Sequence, residues 1–378
     1  MTLTETTNDP RFSQPEHYIE TPGELAAYFD ELIAANNGVP KWCTVDTEAD
    51  SMHSYETKLC LIQFAVEGSM AIIDPLAIDQ DGMKPFIDFL DASDVVWMHG
   101  ADYDMSMFRR TYGWIPKTVW DTQTAARLLG IETFGLASLL EQNFGIKLSK
   151  QSQKADWSRR PLTEKMQAYA YNDVRYLIQL AEGFVEQLKE KRKFDWFVES
   201  CEGARTVSLE REEKSGEDQW RVNGWGKLDP HGLSFLKALW GWRDDECRRL
   251  DRPAFKLIGN QEILNLAEAL QLGERVEPPH YLRPQIARRL VKAIAEAREV
   301  PESDYPKKFR RTGGMRLQID EDLLKVLKKQ RNDAAGRVGI DPTLIAPRVV
   351  LEKLAATNID EADRQNLLLK WQRDLMES

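Results

Sequence analysis

The sequence predicts an α/β domain, a mixed sheet with helices packed on it, followed by two small all-α modules. Three observations predict this. Apolar runs of strand length crowd the region from Trp42 to Met98, helical periodicity dominates from Tyr103 onward, and a helical pattern in the C-terminal part occurs twice. With 378 residues, 42% hydrophobic and 30% charged, the chain is long enough for two or three cores. A formal net charge of -10 disfavours a protein that coats nucleic acid by charge alone. It leaves room for an acidic metal site that bound cations neutralise.

The first helix is announced by Thr21-Pro22-Gly23-Glu24, a capping box with proline at the first helical position, followed by Leu25, Tyr28, Phe29 and Leu32 at helical spacing. Strand-like runs follow at Trp42 to Glu48, Leu59 to Val66 and Met70 to Asp74, with short connections that suit antiparallel hairpins. A helical stretch from Met83 to Leu90 then leads to Asp94 to Met98, whose continuous apolar character suggests a strand covered on both faces. Helices are expected around Tyr103 to Tyr112, Thr122 to Leu129 and Leu136 to Phe144, and one long helix from Thr163 to about Lys191.

These elements place a first domain over residues 20–200 and a charged linker over 201–226. Beyond it, Leu236-Lys237-x-Leu239-x-x-x-Arg243-x-Asp245 recurs as Leu324-Lys325-x-Leu327-x-x-x-Arg331-x-Asp333, and each copy runs on to a proline and a Leu-Ala helix end. The repeat predicts two related helical modules, 227–300 and 317–378, joined by a second linker at 301–316.

Cys43, Cys60, Cys201 and Cys247 lie far apart without a C-x-x-C, which argues against a zinc site or a disulfide framework and reads as reduced thiols. The polar N-terminus lacks a basic region followed by an apolar stretch, and nothing reads as membrane-embedded, so a cytoplasmic protein is expected. No G-x-x-x-x-G-K-[ST] loop is present, so a helicase motor is not supported.

The residues that carry chemistry are acidic. Asp46 and Glu48, two apart on a strand, share a sheet face; Tyr169 and Asp173, four apart, share a helix face. Asp104, ending His99-Gly-Ala-Asp-Tyr-Asp104, adds another carboxylate. Four carboxylates and a phenol are what a two-metal phosphodiester-cleaving site requires, because two divalent cations about 4 Å apart can clamp the attacking and leaving oxygens. An oxygen-only donor set points to magnesium or manganese rather than zinc. Crowded without metal, such carboxylates should be pushed to raised pKa values.

Taken in order, Asp46-x-Glu48, the run from His99 to Asp104, and Tyr169-Ala-Tyr-Asn-Asp173-Val-Arg-Tyr-Leu177 resemble the three motifs of the DEDD exonuclease superfamily, in the tyrosine-bearing branch that contains ribonuclease D. The stretch from Lys150 to Leu162 is similar to that family's approach to its third motif. The resemblance implies a ribonuclease H-like exonuclease domain. It also implies that Asp46, Glu48, Asp104 and Asp173 bind two divalent cations, Mg2+ or Mn2+, while Tyr169 orients the attacking water. The repeated helical segments resemble HRDC domains, small nucleic-acid-binding modules. The expected activity is 3′–5′ exoribonuclease trimming of RNA 3′ ends, transfer-RNA precursors among them, releasing nucleoside 5′-monophosphates. A DNA 3′ exonuclease and a catalytically inactive nucleic-acid-binding protein on the same scaffold are the alternatives. The chain departs from many family members at Ala49, where they carry an aromatic residue.

Plainer readings stand beside these. Asp102 and Asp121 read as helix caps, and His99 as a packed or hydrogen-bonded histidine rather than a base. Trp157, Arg159 and Arg160 face nucleic acid, or else the tryptophan packs on its own helix and the arginines stand in solvent. Lys307, Lys308, Arg310 and Arg311 form either an RNA contact or a solvated linker.

Overall fold

The computed structural model describes residues 12–149, 152–211, 218–308 and 317–377. They fall into two compact units, one of 12–49, 59–211 and 317–377 and the other of 50–58 and 218–308. The first is built on a six-stranded sheet of β1 (Glu16–Ile19), β2 (Trp42–Ala49), β3 (Leu59–Val66), β4 (Ser69–Ile73), β5 (Val95–Met98) and β6 (Val119–Asp121). Their spatial order is β1-β4-β3-β2-β5-β6. The meander β2-β3-β4 is antiparallel, as its short connections predict, whereas β5 and β6 continue parallel from β2 and β1 pairs parallel with β4. The two edge strands β1 and β6 escape sequence reading because 4 and 3 residues are too few to show a period.

Around the sheet run α1 (Pro22–Ala35), α2 (Lys84–Ala92), α3 (Asp102–Tyr112), α4 (Thr122–Leu128), α5 (Leu136–Phe144), α6 (Glu164–Arg175), α7 (Leu177–Glu190) and α8 (Phe194–Glu210). Helix α1 starts at the expected capping box, with Thr21 and Glu24 exchanging hydrogen bonds, and buries Leu25, Tyr28, Phe29 and Leu32. Strand β3 is buried at every position. Ile62, Phe64 and Val66 meet Phe29, Phe86, Met105 and Phe108 on one face; Leu61 and Ala65 meet Met166, Ala170 and Val174 of α6 on the other. Helices α3 and α6 therefore cover opposite faces of the same strands.

Two expectations about this region change. The long helix from Thr163 breaks at Tyr176, whose ring is buried and packs edge-on against Phe12 at 4.8 Å, giving α6 and α7 separate directions. The stretch expected as a linker from residue 201 begins inside α8, which buries Phe197 and Cys201 against the core. Charge on the exposed side of α8 makes it read as solvated chain.

The second helical copy belongs to the first unit rather than standing apart. It comprises α12 (Glu321–Val338), α13 (Pro342–Ile345), α14 (Arg348–Leu354), α15 (Glu361–Gln365) and α16 (Lys370–Glu377). Ala334, Ala335, Ile340, Ile345 and Trp371 share one apolar cluster with Trp97 and Phe197. Lys193 Nζ donates to the carbonyls of Leu128 and Val338, both at 2.8 Å, placing one ammonium against the C-terminal ends of α4 and α12. Gly130 at φ +83° lets the chain pass so close that a Cβ there would lie 2.4 Å from the Gly339 carbonyl oxygen.

The second unit packs α9 (Pro230–Leu250), α10 (Asn260–Gln271) and α11 (Pro284–Arg298) around Leu236, Leu239, Leu264 and Leu290. The repeat has a structural counterpart. Buried Arg243 donates to the Ile258 carbonyl at 3.4 Å, and its copy, buried Arg331, donates to the Ala346 carbonyl at 2.8 Å, each 15 residues ahead. All four cysteines are buried, and none forms a disulfide. No helix among the described residues is long and apolar enough to cross a membrane.

Candidate metal centre

Asp46 and Glu48 come from β2, where strand alternation turns both toward α6. Helix α6, capped by Thr163 at the Met166 N–H, returns Tyr169 and Asp173 to them on one face. One carboxylate oxygen from each of Asp46, Glu48 and Asp173 lies within 4.8 Å of the other two. Asp104 is not one of that trio. It sits in the first turn of α3, 4% exposed, and its Oδ1 accepts a 2.5 Å hydrogen bond from Thr47 Oγ1. Thr47 lies on the face of β2 opposite to Asp46 and Glu48. The acidic cluster thus gathers side chains from both sides of the sheet.

The electrostatics match uncompensated carboxylates. Burial raises Asp46 to about 7. Burial, then the charges of Asp46 and Asp104, raises Glu48 to about 9. Asp104 and Asp173 are both held well above the usual carboxylate range, by burial first and by Asp46 next. Tyr169 is raised as well, through burial and the charges of Asp173, Glu48 and Asp46, so its phenol stays protonated at neutral pH. An all-oxygen, anionic donor set of this kind suits a hard divalent cation, whose charge would relieve the repulsion.

A cavity of about 360 Å³ opens over Asp46, Tyr169 and Asp173, with His99, Leu136 and Gln153 on its walls. His99 Nδ1 lies 2.9 Å from Thr122 Oγ1, and that hydroxyl donates to the Met98 carbonyl at 3.1 Å, so the imidazole is the donor of the pair. Burial lowers the His99 pKa against the opposing charge of Asp121. It is a neutral hydrogen-bonded wall, as the plainer reading had it. Asp121 caps α4 through the Gln123 N–H at 2.8 Å and also accepts from the Gly100 N–H at 2.8 Å, which sets the turn from β5 into α3.

Other candidates go elsewhere. Asp102 does not cap α3, since no side chain caps that helix; it pairs on the surface with Arg211 at 2.7 Å. Trp157, weighed as a base-stacking residue, is 1% exposed and packs beneath Tyr169 with ring centroids 5.9 Å apart. Arg160 is turned inward: it grips the carboxylate of Asp74, which is 2% exposed, and donates to the carbonyls of Trp157 and Cys60. Arg159 is exposed and pairs with Asp156 at 3.1 Å. Lys307 and Lys308 are exposed, Lys308 donating to the Gly226 carbonyl at 3.2 Å, while Arg310 and Arg311 lie outside the described residues. Thr47 was missed because alternation along β2 points it away from the carboxylates it serves.

A sheet with antiparallel β2-β3-β4 and parallel β5-β6, with carboxylates converging from β2, α3 and α6, defines the class. Residues 17–189 match the family model described as 3′-5′ exonuclease. Ribonuclease D of Xanthomonas oryzae pv. oryzae is 30% identical over 377 residues, covering 96% of each chain. The crystal structure of a Bifidobacterium adolescentis protein matches with a TM-score of 0.75 at 26% identity, over 97% of this chain and 96% of that one. Escherichia coli ribonuclease D, described as an exoribonuclease involved in structured RNA processing, shares the fold with a TM-score of 0.69 at 23% identity, over 96% of this chain and 99% of its own. The chain belongs to the ribonuclease D family, and it is a 3′–5′ exoribonuclease.

Proposed function

We propose that Asp46, Glu48, Asp104 and Asp173 hold two divalent cations, Mg2+ or Mn2+, and that Tyr169 orients the water that attacks the terminal phosphodiester. The observation that carries this reading is the convergence of Asp46, Glu48 and Asp173 oxygens within 4.8 Å of one another. Bound cations supply the charge that stabilises the attacking and leaving oxygens. The chain's own residues do the positioning. Tyr169, kept neutral by burial and then by its anionic neighbours, presents a hydroxyl that can hold water without competing for the cations. His99, also neutral, borders the site without acting as base.

The substrate is a 3′ end of RNA, with transfer-RNA precursors as the proposed natural class. The two helical segments serve as HRDC-like modules; their matching buried arginines, Arg243 and Arg331, support a common ancestry for that role. Four buried cysteines outside any disulfide accord with action in the reducing cytoplasm.

The test is a time course on a 3′-extended structured RNA and its DNA counterpart, with Mg2+, Mn2+ or EDTA. Mononucleotides should appear from RNA only with a divalent cation. Preferential loss of DNA would overturn the RNA assignment. Asp46→Asn should fold, retain RNA binding, and lose cleavage by about 10²–10³-fold or more. Unchanged cleavage would remove Asp46 from the reaction.

A further inference from the structure

Gln63 interrupts the apolar run of β3 with a carboxamide that is 0% exposed. Neither its Oε1 nor its Nε2 has a hydrogen-bond partner. A buried amide left unpaired is unfavourable, and a β-branched apolar residue would suit the centre of a covered sheet better. The position of Gln63 supplies a reason for its presence.

Gln63 stands directly opposite Asp46 in the antiparallel β2-β3 register. Directly opposed residues share a face, with Cβ atoms about 5 Å apart. Leu61 and Ala65, two residues away on either side, pack against Met166, Ala170 and Val174 of α6. The Gln63 side chain therefore stands on the face of β3 that α6 covers, the helix that carries Tyr169 and Asp173, and next to Asp46 on the neighbouring strand. We propose that Gln63 is a positioning residue of the metal centre, its amide, unpaired in the metal-free fold, closing a hydrogen bond to the Asp46 carboxylate when a divalent cation binds. The inference rests on the cation-dependent reading above. An amide suits this place chemically: it is a donor and an acceptor without adding another negative charge to the cluster.

The competing account is internal pairing. The indole N–H of Trp157, in the same cluster as Leu61 and Ala65, is likewise without a partner, and a small rotation could join it to Gln63.

The experiment compares wild type, Gln63→Met, Gln63→Asn and Trp157→Phe by thermal melting in EDTA, by calorimetric titration with Mn2+, and by single-turnover cleavage. Gln63→Met should melt at or above the wild-type temperature without metal, because the buried unpaired amide is gone. It should bind Mn2+ about 10- to 100-fold more weakly and cleave correspondingly more slowly. Gln63→Asn, with the amide one methylene short, should lose part of that affinity, and Trp157→Phe should keep it. Wild-type Mn2+ affinity in both Gln63 variants would overturn the proposal, whatever their melting temperatures. Failure of wild type itself to bind Mn2+ would overturn the cation reading and this inference together.

Discussion

The Thr47 hydroxyl donates to Asp104 Oδ1 at 2.5 Å, joining the residue between Asp46 and Glu48 to the first turn of α3. Thr47→Val keeps the volume and removes the donor. The variant should lose about 1–3 kcal/mol of stability in urea melts and bind Mn2+ about 10-fold more weakly. Identical melts and titrations would show that Asp104 needs no such anchor.

Stability of the metal-free protein should fall as pH rises. Unfolded carboxyls ionise near pH 4, whereas burial and mutual repulsion raise Asp46 to about 7 and Glu48 to about 9 in the fold. Between those values the folded state holds more protons than the unfolded one, so raising pH favours unfolding. Melting temperature in EDTA should decline from about pH 5 to about pH 9, and saturating Mg2+ should flatten the curve. A decline that Mg2+ leaves untouched would place its source outside the acidic cluster.

Arg160 is expected to act in stability rather than in RNA contact. Burial opposes the charge of Asp74, yet the Arg160 guanidinium holds its pKa below the ordinary value. Arg160→Met would strand a carboxylate that is 2% exposed, at a cost of about 3–5 kcal/mol near neutral pH. Because a depressed carboxyl stabilises the fold above its unfolded pKa, the difference from wild type should shrink as pH falls below about 4. Equal stability with reduced RNA affinity would reverse the assignment.

Gly130→Ala should loosen the second helical segment from the nuclease core. The new Cβ would meet the Gly339 carbonyl oxygen at 2.4 Å, and φ is +83°. A loss of about 1–3 kcal/mol is expected, with faster amide exchange around Val338 and Ile340, next to the bond from Lys193. Unaltered exchange there would mean that the contact is slack.

The order and type of the central elements were legible in the sequence because local signals carry them. Capping at Thr21, the apolar runs of β2 and β3, and the i,i+4 pair Tyr169 and Asp173 each depend on neighbours within a few residues. The acidic cluster was legible too, through two same-face pairs. Side-chain partnership across distance was not. Trp157 and Arg160 look alike as surface candidates until β3, Asp74 and Tyr169 enclose them. Asp104 reads as an equal partner of the cluster, yet its position depends on Thr47 from the other face of the sheet. The attachment of the second helical segment to the nuclease core depends on Lys193 meeting two helix ends and on the absence of a side chain at Gly130. Sequence alone determined the periodicities, the helix and strand starts and the inventory of acids. Only tertiary structure decided which groups are desolvated and which of them meet, because burial and cross-element contact are properties of packed surfaces that no local window of the chain contains.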